Sequence, residues 1–254
     1  MTDLHCHILP GMDNGSNTVK ESLFLLHQEV EQGVNEITFT PHFDPEKDNV
    51  EDFLYTRQQS WQKLKEGMRT VPSLKGLKVR VGAEIHYNRD LPKMNLQPYC
   101  FSGTNCLLID LPKQYLPQDL ESTIFQIRMK GYKVILSHVE QYPFLLEDLN
   151  LLYALVDAGC IVQVNSNTLL EKGTFRKQIF QLMDWNLIHI ISSDAHHPKT
   201  SAPRLSEAAW ELSRKLGKQK TKEVLCNAEQ IFKGNNIIIP EPHKPKQGIN
   251  GAWK

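Results

Sequence analysis

No sign of charge dominates this chain. Its 254 residues carry 29 basic and 29 acidic side chains, so neither a polyanion-binding surface nor an acidic tail is expected, and nucleic acid is set aside as a partner. Long hydrophobic runs are missing; the longest apolar blocks are strand-sized, so no membrane insertion is expected. The N-terminus lacks the charged segment and apolar stretch of a secretion signal. Paired cysteines are missing too. There are five, an odd number without paired spacing, which predicts free thiols in a reducing compartment, the cytoplasm. The residues six positions after them are Met12, Cys106, Pro112, Ser166 and Phe232. None is arginine, which excludes the Cys-x5-Arg loop through which a thiolate attacks a phosphoester. No Gly-rich phosphate loop follows the first strand, which weighs against a nucleotide-binding sheet.

What is present is an alternation. Hydrophobic residues make up 40% of the chain, enough for a substantial core. Short apolar runs predict strands over 1–5, 34–40, 77–84, 106–110, 133–137, 160–165 and 187–192. Between them, apolar residues at helical spacing predict helices from 17 or 18 to Gly33 and over 50–66, 119–130, 146–158 and 175–185, with two more over 203–216 and 220–232. No linker interrupts 1–236, so one parallel α/β domain is expected there. The stretch 237–254, with its prolines and few apolar residues, is expected to be a tail without its own core. Seven such units can close into a barrel or remain an open doubly wound sheet. The pattern alone leaves both open.

The residues with metal-ligand chemistry gather at predicted strand ends. His5 and His7 end the first strand, and one intervening residue puts both imidazoles on one face of an extended segment. His42 ends the second, Glu84 the third, Asp110 the fourth and His138 the fifth, while Asp194 and His196 follow the seventh. Each alone reads more readily as a cap, a solvated acid or a core histidine. Together they mark the carboxyl-terminal edge, where α/β barrels carry their active sites. Five histidines and three carboxylates, with Asp13 in the loop after His7, exceed the three or so protein ligands of one catalytic zinc. Two or three ions are therefore expected, and the mixed imidazole–carboxylate set suits Mn, Fe or Zn. Such clusters activate water and clamp phosphoryl oxygens.

The motifs Asp3-x-His5-x-His7, Thr40-Pro41-His42, Gly82-x-Glu84, His138-x-Glu140 and Ser193-Asp194-Ala195-His196 together resemble the polymerase-and-histidinol-phosphatase (PHP) superfamily. More narrowly, the stretch from His5 to Gly15 and the run Leu107-Leu108-Ile109-Asp110-Leu111-Pro112 resemble the bacterial manganese-dependent protein-tyrosine phosphatases of capsule and exopolysaccharide clusters. The resemblance covers residues 1 to about 236. It implies a distorted (β/α)7 TIM-like barrel in a single domain and hydrolysis of phosphotyrosine on a polysaccharide-assembly tyrosine kinase, in the cytoplasm beside that membrane-bound partner. It also implies a ligand set. His5, His7, Glu84 and Asp194 would hold one ion. Glu84 would bridge to a second, completed by Asp110 and His138. His42, His196 and an acid from the Asp13-Asn14 pair would hold a third. A hydroxide between ions would attack phosphorus, which makes His42, Glu84, His138 and Asp194 the catalytic set, and Arg204 would pair with phosphate oxygens.

Three departures from the family pattern stand in this chain. Asn14 takes the place of a second aspartate, which predicts a weaker third ion and a gain from Asn14→Asp. Asp110 replaces a glutamate, and Gln141 replaces an arginine. Two other readings remain open at this point: a PHP phosphoesterase acting on a small phosphorylated metabolite, and a weakly active regulatory metal-binding protein. An oligomer is left open as well.

Overall fold

In the computed structural model, which describes residues 1–246 and Trp253, local capping chemistry sets the helix starts. Helix α1 (Val19–Glu31) begins where the Thr18 side chain accepts from the Glu21 N–H, and α2 (Val50–Arg69) where Asn49 accepts from Glu51 and Asp52 N–H. These caps satisfy amides that a first turn leaves unpaired. The sheet is parallel throughout. β1 (Thr2–Cys6) pairs with β2 (Glu36–Phe39), and β2 with β4 (Lys78–Val81). β3 (His42–Phe43) pairs with β5 (Glu84–His86). The ladder then continues through β6 (Cys106–Asp110), β7 (Lys133–Leu136), β8 (Ile161–Asn165) and β9 (Ile190–Ser192).

One predicted strand is divided, and another continues past its expected end as a second short strand. Pro41 separates β2 from β3 because it has no N–H to donate. Opposite it, Gly82 and Ala83 separate β4 from β5. A Cβ on Gly82 would lie 2.8 Å from the Phe101 ring, so only glycine lets the chain pass there. The breaks do not loosen the sheet: Gly82 N–H donates to Phe39 O at 2.8 Å and Glu84 N–H to Pro41 O at 3.1 Å. The nine strands of the described residues thus occupy seven positions, with β2/β3 and β4/β5 sharing one each. The sheet curls until its ends meet. Asp194 N–H donates to His5 O at 2.9 Å and His7 N–H to Ala195 O at 2.8 Å.

The helical connections follow the predicted order: α3 (Leu120–Met129), α4 (Pro143–Glu147), α5 (Leu149–Asp157), α6 (Thr174–Asp184) and α7 (Leu205–Lys233). The helix expected over 146–158 is two, parted at Asp148, whose side chain caps α5. The pair expected after 203 is one run bent at Gly217, with φ 84° and ψ 166°. The main core lies between helices and sheet, with Leu25, Leu26, Ile37, Phe39, Leu64, Leu107 and Ile109 among its buried members. A smaller cluster of Leu4, Leu108, Ile135, Ile161 and Ile190 fills the inner side of the sheet and is met by Ile231 and Phe232 of α7. It forms an apolar floor beneath the strand ends. The β1–β2 ladder shifts register between Asp3 and Cys6, so the adjacent residues Leu4 and His5 both reach this inner side. Of the segment 237–254, residues 247–252 and 254 lie outside those described. In the described part Ile237 and Ile239 pack on the inner cluster, and His243 N–H donates to Trp185 O at 2.9 Å.

Candidate metal centre

The strand ends converge on Glu84. Its Oε2 lies 3.2 Å from His5 Nε2, 3.3 Å from His7 Nε2 and 3.1 Å from His42 Nδ1, and its Oε1 lies 2.9 Å from His138 Nε2. Asp194 Oδ1 stands 3.4 Å from Nε2 of both His5 and His7 and 3.5 Å from His196 Nδ1. Asp110 Oδ1 is 3.6 Å from His138 Nε2. Donor atoms close enough to share a cation fall into three overlapping groups: His5, His7 and Glu84; Glu84, Asp110 and His138; His7, His42 and His196. Glu84 belongs to two of them, and so does His7.

The fit to divalent ions rests on unsatisfied atoms. Glu84 is buried among imidazole nitrogens, yet none of them directs a well-formed hydrogen bond at its oxygens, and Nδ1 of His138 is unpartnered. A buried carboxylate in that condition is costly unless a cation sits between it and the imidazoles. The backbone bends to bring two of these groups in. His138 has φ 20° and Asp194 φ 52°, conformations that side chains with a Cβ adopt at a cost and that recur at functional sites. The electrostatics agree with a cation-binding mouth. Burial opposes charge on His5, but the carboxylates of Glu84 and Asp194 outweigh it and raise this imidazole to about 9. Burial also opposes charge on Glu84, and the charges of His5 and His138 hold it well below the usual carboxylate range. For His196, burial and the nearby His7 push the imidazole down to about 4.

Two residues expected in the site lie outside the three donor groups. Asp13 is not in the three groups: its Oδ2 accepts from His7 Nδ1 at 2.7 Å and from His42 N–H at 3.0 Å, and its Oδ1 from Gly15 N–H at 2.9 Å. Asn14 beside it is exposed. Arg204 pairs through Nε with Glu207 at 3.0 Å on the surface. Cys6 turns into the main core and donates to Thr38 O.

Other residues near the centre were not singled out from the sequence. His86 places Nδ1 2.9 Å from Asp110 Oδ2, and the Tyr142 hydroxyl donates to Asp110 Oδ1 at 2.8 Å. Gln163 and Asn165 of β8 reach His5 and Asp194. For this pair a signal existed: two amides at period two inside an otherwise apolar strand, Ile161-Val162-Gln163-Val164-Asn165. His86 sits two residues after Glu84 and so shares its face.

Comparison with known proteins agrees with this geometry. Residues 1–233 match the family described as capsular polysaccharide synthesis, CpsB/CapC. The chain is 31% identical over 251 residues to the tyrosine-protein phosphatase YwqE of Bacillus subtilis, covering 96% of each chain. It is 26% identical over 253 residues to the tyrosine-protein phosphatase CpsB of Streptococcus agalactiae, covering 93% of this chain and all of that one. Its backbone superposes with a TM-score of 0.88 and 27% identity on a solved chain from the study of YwqE and Streptococcus pneumoniae CpsB, described as unique metal-dependent tyrosine phosphatases. The alignment covers 97% of this chain and all of the other. The resemblance carried by the sequence motifs therefore holds along nearly the whole chain, and the protein belongs to the CpsB/CapC family of capsular polysaccharide synthesis.

Proposed function

We propose that this chain is a metal-dependent protein-tyrosine phosphatase that removes phosphate from a tyrosine kinase of polysaccharide assembly. The observation that carries the reading is Glu84, buried without a well-directed hydrogen bond and shared between two groups of donors at one mouth of the sheet. His5, His7, Glu84 and Asp194 would hold one ion, and Glu84, Asp110 and His138 a second. His42 and His196, with Asp13 beside them, would hold a third. Manganese is the cofactor we favour, with iron and zinc as the alternatives for this donor set. Divalent ions held this way lower the pKa of water and neutralise charge on a phosphoryl group. The chain's own residues do the rest. The carboxylates of Glu84, Asp110 and Asp194 offset the ions' charge, and the Leu4, Leu108 and Ile135 floor keeps water from beneath the centre. The His42 and His86 side chains, 40% and 43% exposed, border the open side from which an aryl phosphate would enter.

The names of the relatives support phosphotyrosine as the substrate class, and the family description supports a partner in capsule synthesis. The reading places the protein in the cytoplasm, supported by its five free cysteines. Among the described residues no helix is long and apolar enough to cross a membrane. We also read the curled sheet as a distorted (β/α)7 barrel over 1–236, supported by its seven positions and the junction of β1 with the segment after β9.

The test is hydrolysis of a phosphotyrosyl peptide, histidinol phosphate and a generic aryl phosphate, with and without manganese, by the native protein and by His138→Ala and Asp194→Ala. The peptide should be the preferred substrate and manganese should be required. Both variants should fall to near background while keeping native circular dichroism. Retained activity in either variant would count against the metal reading, and preference for histidinol phosphate would replace the substrate.

A further inference from the structure

β8 delivers no ligand, yet two of its side chains touch the ligands that come from three other strands. Asn165 Nδ2 donates to Asp194 Oδ2 at 2.7 Å. A carboxylate only accepts, so this bond fixes which end of the Asn165 amide is nitrogen. Asn165 Oδ1 must then accept, and it does, from Gln163 Nε2 at 2.8 Å. That in turn fixes the Gln163 amide. Its Oε1 accepts from the His138 backbone N–H at 2.7 Å and stands 3.2 Å from His5 Nδ1. Since Oε1 can only accept, Nδ1 of His5 must carry the proton. In the neutral ring that binds an ion, Nε2 of His5 is then the nitrogen with the lone pair, and it is this nitrogen that faces Glu84 and Asp194. The polarity of the whole chain runs one way, set at one end by an anion and at the other by a peptide N–H.

We propose that Gln163 and Asn165 are positioning residues for the metal centre, working as one relay. The relay selects the His5 tautomer that can bind an ion. It ties up Oδ2 of Asp194 so that Oδ1 is the oxygen presented to His5 and His7, and it holds the backbone at His138, where φ is 20°. Both side chains are buried, so the bonds they make are shielded from bulk water. Partners of this kind, bonded to the far nitrogen of a ligating histidine, commonly change metal affinity tenfold to a hundredfold. The inference rests on the metal reading above and adds to it the residues that set the order of the site.

The experiment is a manganese titration of the metal-free protein by calorimetry, beside circular dichroism and turnover at limiting and saturating manganese. Four proteins are compared: native, Gln163→Met, Gln163→Glu and Asn165→Leu. Gln163→Met keeps the length of the side chain and loses all three of its hydrogen bonds, and it should weaken manganese binding by roughly tenfold to a hundredfold. Its turnover should recover in large part when manganese is saturating. Gln163→Glu keeps an acceptor for His5 and for His138 N–H, so it should bind manganese more tightly than Gln163→Met. Asn165→Leu tests the other end, should Gln163→Met fail to fold, and should weaken binding similarly. A folded Gln163→Met or Asn165→Leu protein with native manganese affinity would overturn the relay. Failure of the native protein to bind manganese, iron or zinc would instead defeat the metal reading, a separate outcome in the same titration.

Discussion

At the scale of single residues, Asp13 and Asn14 separate most clearly what chemistry type suggests from what geometry assigns. A carboxylate followed by an amide in a loop after two histidines invites the view that the amide weakens an ion. The structure sets Asp13 against two of the expected ligands. It accepts from His7 Nδ1, His42 N–H and Gly15 N–H, so it fixes the His7 tautomer and leaves Nε2 toward Glu84. Asn14 faces solvent. The gain once expected from Asn14→Asp should therefore be small. Activity against manganese concentration should superimpose for the native protein and Asn14→Asp, while Asp13→Ala should need roughly tenfold or more manganese. A left-shifted curve for Asn14→Asp would return the third ion to Asn14. Gly15 is held just as firmly, because a Cβ there would lie 2.1 Å from His7 O. The sequence marks the glycine but cannot show what it avoids.

At the scale of elements, most of the fold was legible. Strand and helix starts follow from apolar periodicity and from caps such as Thr18 and Asn49, which act within a few residues of chain. The division at Gly82 and the short strand β3 after Pro41 were not legible, because they depend on the two segments lying opposite one another. Gly217 was placed correctly between two helices, and its ψ of 166° at φ 84° is a conformation open to glycine almost alone. Replacing it with alanine meets no clash, since nothing lies within 4 Å of the added carbon. The cost is backbone strain, about 1–3 kcal/mol, which should lower Tm by a few degrees for a domain of this size. Turnover at saturating manganese should stay native, because strand ends hold the ligands. A native Tm in Gly217→Ala, read by calorimetry, would mean that α7 re-forms without strain.

At the scale of the whole molecule, burial decides which thiols can react. Cys6, Cys100, Cys106 and Cys160 are buried and Cys226 is exposed. Burial pushes the Cys100 and Cys160 thiols up to about 12, which suppresses the thiolate form that reacts. One thiol should be modified quickly by an aromatic disulfide reagent under native conditions, and Cys226→Ala should abolish that phase. Alkylation of Cys226 should leave turnover intact. Loss of turnover on alkylation would point to thiol chemistry, which the lack of any Cys-x5-Arg sequence argues against.

The sequence by itself determined the chemistry and the edge at which it sits. His5 and Asp110 lie at strand ends, His7, His138, Asp194 and His196 follow strands, and His42 and Glu84 open the short strands β3 and β5 just past Pro41 and Gly82, at the edge that local periodicity marks. The family resemblance already implied how these residues divide among groups and that Glu84 is shared; only the tertiary structure set the distances between them and put Asp13 Oδ2 against His7 Nδ1. The physical reason is range. Periodicity and capping act over a few residues, whereas the bonds from Asn165 to Asp194 and from Gln163 to His5 span 29 and 158 positions. Such bonds exist only after the parallel sheet has curled far enough to bring the end of β1 against the segment that follows β9.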